Sequence, residues 1–361
     1  MEKLIRPELA GFVGYVGGKS LEKLAVDMPP EGIIKLDANE NPYGCSPRVG
    51  PALASCPSLN VYPDLGQAEL KELLAGYAGV SAERIVAGSG SNQLIDLISR
   101  LFVDSGDEVI NLVPTFDMFR FSTQAQGGTL VEVARDEDFA VSARAVRAAI
   151  NKRTKLIFLA NPNSPTGNIT PQKAIIEIAE TGRPLVVDEA YYEFSGETVV
   201  PLVDQYPNLM VLRTFSKWAG LAGLRLGYGI FPPKLAKYLL AIKVPYNVSV
   251  AALVAVRESL QDIDYLRGRV RAIVDERERL FRELKRFDWL KPFPSRANFI
   301  FCKISNGRAD ELQRRLQDRG IVVRYFSQPL LRDSVRISVG KPEDSDALIR
   351  ALQEIGEEIN V

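Results

Sequence analysis

Histidine is absent from the 361 residues. That gap excludes Ser-His-Asp and Cys-His hydrolases, His-ligated zinc sites and any imidazole general base. Proton transfer is left to Lys, Asp, Glu, Tyr or Cys. Net charge is missing as well, since Lys+Arg and Asp+Glu are both 45. Such a balance gives no overall field to attract duplex nucleic acid or an anionic membrane, and neither is expected as a partner. Cysteine is scarce, with Cys45, Cys56 and Cys302 only. Their odd number and wide spacing fit no disulfide framework, so reduced thiols and a cytoplasmic setting are expected. Long apolar runs are lacking too. The longest, Val248 to Val256, is broken by Ser249 and is too short to span a bilayer. Residues Met1 to Glu8 are charged and have no apolar core of the kind a signal peptide carries. No G-x-G-x-x-G and no G-K-[ST] is found near Gly88-Ser89-Gly90, which removes the common nucleotide-binding fingerprints.

What remains is an ordinary globular composition, 46% apolar and 25% charged. The length suggests about two domains. Residues 1 to 45 are irregular and rich in Gly and Pro. Beyond them, apolar β runs alternate with helical stripes. Strands are expected at Arg84–Ala87, Glu108–Val113, Thr129–Val133, Lys155–Ala160, Pro184–Val187, Leu209–Arg213 and Leu224–Ile230. Helices are expected at 67–77, 91–102, 143–150 and 172–180. This alternation predicts an α/β fold, a large domain with a mostly parallel sheet flanked by helices. After about residue 250 the pattern changes. A charged helical stretch, Ile263–Phe287, precedes short β runs at Ala297–Phe301, Ile321–Arg324 and Val335–Val339, which together predict a smaller α/β domain. The expected division is an N-terminal arm 1–40 that packs on the small domain or a partner subunit, a large domain 41–255 and a small domain 256–361.

Four segments look unlike scaffold. Gly88-Ser89-Gly90-Ser91-Asn92 joins a strand to a helix, where backbone N–H groups and the helix dipole favour an anion. An ordinary turn with Ser91 as N-cap is the plainer alternative. Asp188 ends the apolar run Leu185-Val186-Val187, and ligands of parallel α/β sheets sit at such strand ends. A helix-capping Asp is the competing explanation. Lys217 follows Thr214-Phe215-Ser216 and precedes the small, apolar stretch Trp218 to Leu224. A desolvated lysine of this kind suits a Schiff base, whereas a solvated surface lysine would keep more polar company. Asn161-Pro162-Asn163-Ser164-Pro165-Thr166-Gly167 is a rigid turn after a strand, placed at the same sheet edge as Asp188.

Taken in order, Gly88-Ser89-Gly90-Ser91, Asn161 with Pro165-Thr166-Gly167, Asp188-Glu189-Ala190-Tyr191, Ser216-Lys217 and Arg225 resemble pyridoxal-phosphate-dependent aminotransferases of fold type I. The resemblance covers nearly the whole chain. It narrows to the histidinol-phosphate aminotransferase branch through Leu36 to Gly44, Tyr62-Pro63-Asp64, Val187 to Phe194, Leu212 to Lys217 and Val335 to Gly340.

The resemblance implies the following roles. Lys217 holds pyridoxal 5'-phosphate covalently and then serves as the base. Asp188 keeps the pyridine nitrogen protonated, which makes the ring an electron sink. Tyr191 donates to the ring oxygen O3′. The phosphate rests on Gly90, Ser91 and Asn92, with Thr214, Ser216 and Arg225 completing the cradle. Phe116 stacks on the ring, where the branch more often has Tyr. Ser164 stands where the branch has an Asn that bonds O3′, and Tyr325 follows Arg324 where it often has Asp. Arg336 clamps an α-carboxylate, Arg324 takes the substrate's phosphate end, and Tyr15 and Asn39 lie near the substrate. Tyr62 crosses to the neighbouring subunit's cofactor phosphate, which requires a homodimer. No metal is implied. The expected reaction joins L-histidinol phosphate and 2-oxoglutarate to imidazole-acetol phosphate and glutamate in histidine biosynthesis. An aromatic-amino-acid aminotransferase or a threonine-phosphate decarboxylase on the same scaffold is the alternative. A non-catalytic, cofactor-sensing regulator is a third class, but the chain has neither the length nor the basic excess for an added DNA-binding region.

Overall fold

The computed structural model describes residues 1–12, 14, 15, 17 and 32–359. In chain order the strands are β1 (Ile34–Leu36), β2 (Ile85–Ser89), β3 (Glu108–Val113), β4 (Thr129–Ala134), β5 (Thr154–Ala160), β6 (Leu185–Asp188), β7 (Leu209–Thr214), β8 (Leu226–Ile230), β9 (Leu290–Pro292), β10 (Phe299–Ile304), β11 (Ile321–Tyr325) and β12 (Ser334–Ser338). Seven of them form a large sheet in the order β2-β8-β7-β6-β5-β3-β4. Neighbours from β7 to β4 are parallel, and β8 runs antiparallel to both β2 and β7.

The continuous apolar runs of β5, β6 and β7 follow from burial on both faces. Ile157, Leu159, Leu185, Val187, Leu209 and Val211 join one core cluster. The alternate residues Leu156, Phe158, Val186, Met210 and Leu212 join a second cluster on the other face. A period-2 backbone sorts the two sets without any polar gap in the sequence. With both faces covered, ligand access is left to the carboxyl ends of the parallel strands.

The second sheet has the order β1-β11-β12-β10-β9. β1 runs parallel to β11, and the other pairings are antiparallel. Residues 34–36, expected within an irregular arm, therefore supply an edge strand of the smaller sheet. β9 was not anticipated either. Each has three residues, too few for a periodic signal, and Pro292 is tolerated in β9 because that strand lies at an edge.

Two boundaries differ from expectation for a local reason. Leu224 lies in a 3-10 turn and not in β8, because Arg225 adopts a left-handed φ of 54° that no strand continues through. Ser91 is not an N-cap. Gly90 takes a φ of 75° and already opens the helix, Ser89 holds the cap position, and Ser91 falls in the first turn.

The 22-residue helix Ile263–Leu284 passes from one core to the other. Its Leu266, Val270 and Ile273 pack in the large core, and its Leu280 and Leu284 pack in the small one. Among the described residues no helix is long and apolar enough to cross a membrane.

Candidate active site

The carboxyl ends of β5, β6 and β7 and the start of the helix Gly90–Phe102 surround one cleft. Ser91, Asn92, Phe116, Ser164, Asp188, Tyr191, Thr214, Ser216, Lys217 and Arg225 line it from the large domain. Arg324 and Arg336 reach it from the small sheet, and Tyr15 and Asn39 from the N-terminal segment. Of the residues singled out in the sequence, Gly90 lies just behind the lining. Tyr62 lies away from the cleft, 78% exposed and stacked on Tyr246 at 4.5 Å between ring centroids.

Asp188 is the last residue of β6 and is 4% exposed. Its Oδ1 accepts the Ala190 backbone N–H at 3.1 Å, so it caps a turn and not a helix. Burial pushes its carboxyl up to about 7; the Ala190 N–H opposes this and the neighbouring Glu189 charge adds to it. Lys217 lies three residues beyond the end of β7. Its Nζ donates to the Ala38 carbonyl at 2.8 Å. Burial, then the nearby Arg336 charge, pull its amine down to about 8. One cleft thus holds an acid pushed toward neutrality and a lysine pushed toward the free amine.

The far end of the cleft is a cradle that only glycine permits. A Cβ on Gly90 would stand 2.5 Å from Arg225 Nη2, and a Cβ on Gly227 would stand 2.2 Å from the Ser91 backbone N. These two glycines let β8, Arg225 and the helix start close on the same point. Gly227 pairs with Gly88 across β8 and β2, which fixes that approach. The left-handed φ of Arg225 carries its guanidinium across Gly90. Thr214 Oγ1 donates to the Leu226 carbonyl at 3.0 Å and accepts the Ser216 backbone N–H at 3.1 Å, which sets both hydroxyls at the mouth of the cradle. Helix N–H groups, two hydroxyls and a guanidinium suit a phosphate.

Tyr191 accepts from Asn39 Nδ2 at 2.8 Å and is in contact with Ser164, and its phenol is pushed up by burial. Asn39 also accepts from Ser338 Oγ at 2.9 Å, so its amide is spent on fixing Tyr191 and β12. Arg336 Nη2 donates to the Asp37 carbonyl at 2.6 Å and Nη1 to Ser164 Oγ at 3.3 Å, while its buried Nε has no partner among the described residues. A buried guanidinium N–H of this kind suits an anionic acceptor. Arg324 Nη1 donates to the Gly17 carbonyl at 2.8 Å and its guanidinium lies over Phe326. The Phe116 ring meets Tyr15 edge-on at 6.2 Å.

Behind the strand tips lies a buried ion pair. Arg213 donates through Nε and Nη2 to Glu189 Oε2, at 3.0 and 2.9 Å. Glu189 Oε1 accepts the Val199 N–H at 2.7 Å. The pair ties the residue after Asp188 to β7, three residues before Ser216.

Several lining residues had no role assigned from the sequence: Asp37 and Ala38, which lie within the quoted stretch Leu36 to Gly44, and Asp117, Phe326 and Gln328. Asp117 was signalled only by its place next to Phe116. Gln328 and Phe326 had no signal, because their loop belongs to the second sheet and reaches the cleft only through the fold.

Comparison with known proteins meets this geometry at two levels. The family described as aminotransferase class I and II matches residues 31–352, and the chain belongs to that family. Within it the kinship is with the histidinol-phosphate aminotransferases. A curated protein of that name from Dehalococcoides mccartyi is 51% identical over 357 residues, 99% of each chain. A chloroplastic one from Nicotiana tabacum is 42% identical over 98% of this chain and 86% of its own length. The crystal structure of histidinol-phosphate aminotransferase from Sinorhizobium meliloti, in complex with pyridoxal-5'-phosphate, superposes with a TM-score of 0.90 at 29% identity, covering 99% of this chain and 98% of that one.

Proposed function

We propose that this chain transfers an amino group between L-histidinol phosphate and 2-oxoglutarate, with pyridoxal 5'-phosphate as cofactor. The observation that carries the reading is the pairing of Lys217 and Asp188 in one cleft, Asp188 buried and Lys217 half-buried, with their acidities shifted in opposite directions. The residues present fit the cofactor. Among the described residues Asp188 has no cation partner, which a protonated ring nitrogen would supply, and the Gly90–Gly227 cradle is shaped for a phosphate.

When bound, the cofactor supplies an electron sink for the charge left as a substrate Cα–H bond breaks. The chain's own residues do the rest. Asp188 keeps a proton at the ring nitrogen. Lys217 Nζ takes the Cα proton, and its lowered basicity leaves part of the population unprotonated near pH 8. The Ala38 carbonyl orients that amine through the 2.8 Å bond. Ser91, Asn92, Ser216 and Arg225 hold the cofactor phosphate, and Tyr191, fixed by Asn39, faces the ring oxygen. Phe116 offers its face to the ring. Arg336 binds the carboxylate of glutamate, and Arg324 with Tyr15 binds the phosphate end of the other donor.

The active unit in this reading is a homodimer in which Tyr62 reaches the partner's cradle. Support comes from the exposed apolar residues Leu59, Val61, Tyr62 and Leu65, with Tyr62 stacked on the exposed Tyr246. Three unpaired cysteines suit a cytoplasmic, reducing setting.

The test is spectroscopic. Cofactor-loaded protein is mixed separately with L-glutamate and with L-histidinol phosphate, and the visible band of the bound cofactor is followed. Both amines should bleach it, and the matching oxo acids should restore it. Bleaching by glutamate alone would leave the transaminase and remove the substrate assignment.

A further inference from the structure

One acid at the mouth of the cleft is left unused by the chemistry above. Asp117 lines the cleft next to Phe116. It stands at the cap position of the helix Met118–Ala125 and makes no capping hydrogen bond with its side chain. Asp in that position ordinarily accepts from the first free helix N–H groups. Here the carboxylate turns across the cleft instead. Gln328 Nε2 donates to its Oδ1 at 2.9 Å and to its Oδ2 at 2.8 Å. Gln328 belongs to the loop between β11 and β12, so the contact joins the two sheets over the cleft.

The other acids lining the cleft have different occupations. Asp188 lies at the floor, and Asp37 is paired with Lys35 at 2.8 Å. Asp117 alone among them is met by a neutral amide carried on a half-buried loop side chain. Such a donor exchanges readily for a ligand N–H of equal geometry. Phe116 and Tyr15, in edge-to-face contact with 6.2 Å between ring centroids, give that side of the cleft an aromatic wall.

We propose that Asp117 determines donor specificity by accepting the ring N–H of an imidazole-bearing amine, with Gln328 Nε2 standing in for that N–H in the free protein. The inference rests on the histidinol-phosphate reading above. It adds the group that recognises the ring, which the Lys217–Asp188 chemistry does not specify. A site built to bond a substrate N–H rejects an analogue that lacks it, because the carboxylate is then left without its partner. Glutamate carries no such N–H, so its own half-reaction does not use this bond.

The experiment compares three donors on the cofactor-loaded protein: L-histidinol phosphate, L-phenylalaninol phosphate (the same phosphate amine with a ring that has no N–H) and L-glutamate. Single-turnover rates give kcat/KM for each. The natural sequence should favour histidinol phosphate over the phenyl analogue by about 100-fold or more. Asp117→Ala should shrink that ratio to within about tenfold, leaving glutamate within about threefold. No capping bond is lost in this variant, so the helix should survive it. Gln328→Ala should keep the ratio or raise it, since only the stand-in is removed. An unchanged ratio in Asp117→Ala, an equal loss with all three donors, or a collapse of the ratio in Gln328→Ala would each overturn the proposal. A natural protein that turns over glutamate but neither phosphate amine would overturn the substrate reading beneath it, a result distinct from the others.

Discussion

At the scale of single residues, the cleft is a place where burial works against charge. Asp188 without a cation beside it is held neutral up to about pH 7, far above an unfolded Asp, whose value is 3.8. Between those values the folded chain binds a proton that the unfolded chain has released, so stability falls as pH rises. Lys217 has the opposite sign. Its folded value of about 8 lies below the unfolded 10.5, so stability is recovered only as pH climbs through that upper window. Cofactor-free protein should therefore lose stability from pH 5 to 7 and be least stable between pH 7 and 8. Asp188→Asn should flatten the acid limb by up to about 4 kcal/mol at pH 8, and Glu193, also raised to about 7 by burial, should keep the remainder of the slope. Urea titrations of the cofactor-free forms at pH 5, 6, 7 and 8 check both statements, and an identical slope in the variant would remove Asp188 as its source. Lys217→Ala should bind the cofactor without a borohydride-reducible linkage and lose turnover by about 10²–10⁴-fold or more. A trapped adduct in that variant, read by mass spectrometry, would put the covalent link on another amine.

At the scale of elements, the site depends on how closely β8 approaches the helix Gly90–Phe102. Gly227→Ala inserts a methyl group where the Ser91 backbone lies 2.2 Å away. Backbone has to yield, at a cost of about 1–3 kcal/mol. The loss should be larger for cofactor affinity than for the melting temperature of the cofactor-free protein, as fluorescence titration and thermal scans together would show. The Glu189–Arg213 pair behind β6 and β7 is fully buried. Arg213→Met should destabilise the chain by about 3–5 kcal/mol, because the buried Glu189 carboxylate loses its cation and keeps only the Val199 N–H and the Thr198 hydroxyl. Adding Glu189→Leu should recover much of that, in a double-variant denaturation cycle.

The element scale also explains what could be read in advance. β5, β6 and β7 were legible because strands buried on both faces write unbroken apolar runs, and β3 because Asn111 is its one polar interruption after Glu108. Lys217 and Asp188 were legible because each sits at the end of such a run beside small residues. β1 and β9 were not, since three residues carry no period. The start of β8 was misjudged because the left-handed turn at Arg225 has no signature in an arginine. Gln328 was invisible for a different reason. Its role exists only once a loop of one sheet lies over the other, and that is a property of packing.

At the scale of the whole molecule, binding and assembly should be linked. A cofactor that meets only the folded cleft stabilises it by about 2.7 kcal/mol at a hundredfold excess over Kd, and it also relieves Asp188. The loaded protein should therefore melt higher and lose the stability minimum between pH 7 and 8. If Tyr62 serves the neighbouring cleft, chains bearing Tyr62→Ala and chains bearing Lys217→Ala should each be weak alone. Mixed after unfolding and refolding, they should regain roughly a quarter of full activity through statistical pairing. No gain in the mixture would confine each cleft to its own chain.

The helix Ile263–Leu284 gives the molecule a common axle. Its 22 residues anchor one end among Leu266, Val270 and Ile273 and the other among Leu280 and Leu284, with no joint between. A swing that brings Arg324 and Arg336 toward Lys217 has to flex or roll this rod. Inserting a single alanine at its middle would turn one end against the other by about 100°. Both cores could then persist while the two arginines no longer faced the lysine, separating folding from turnover in one chain.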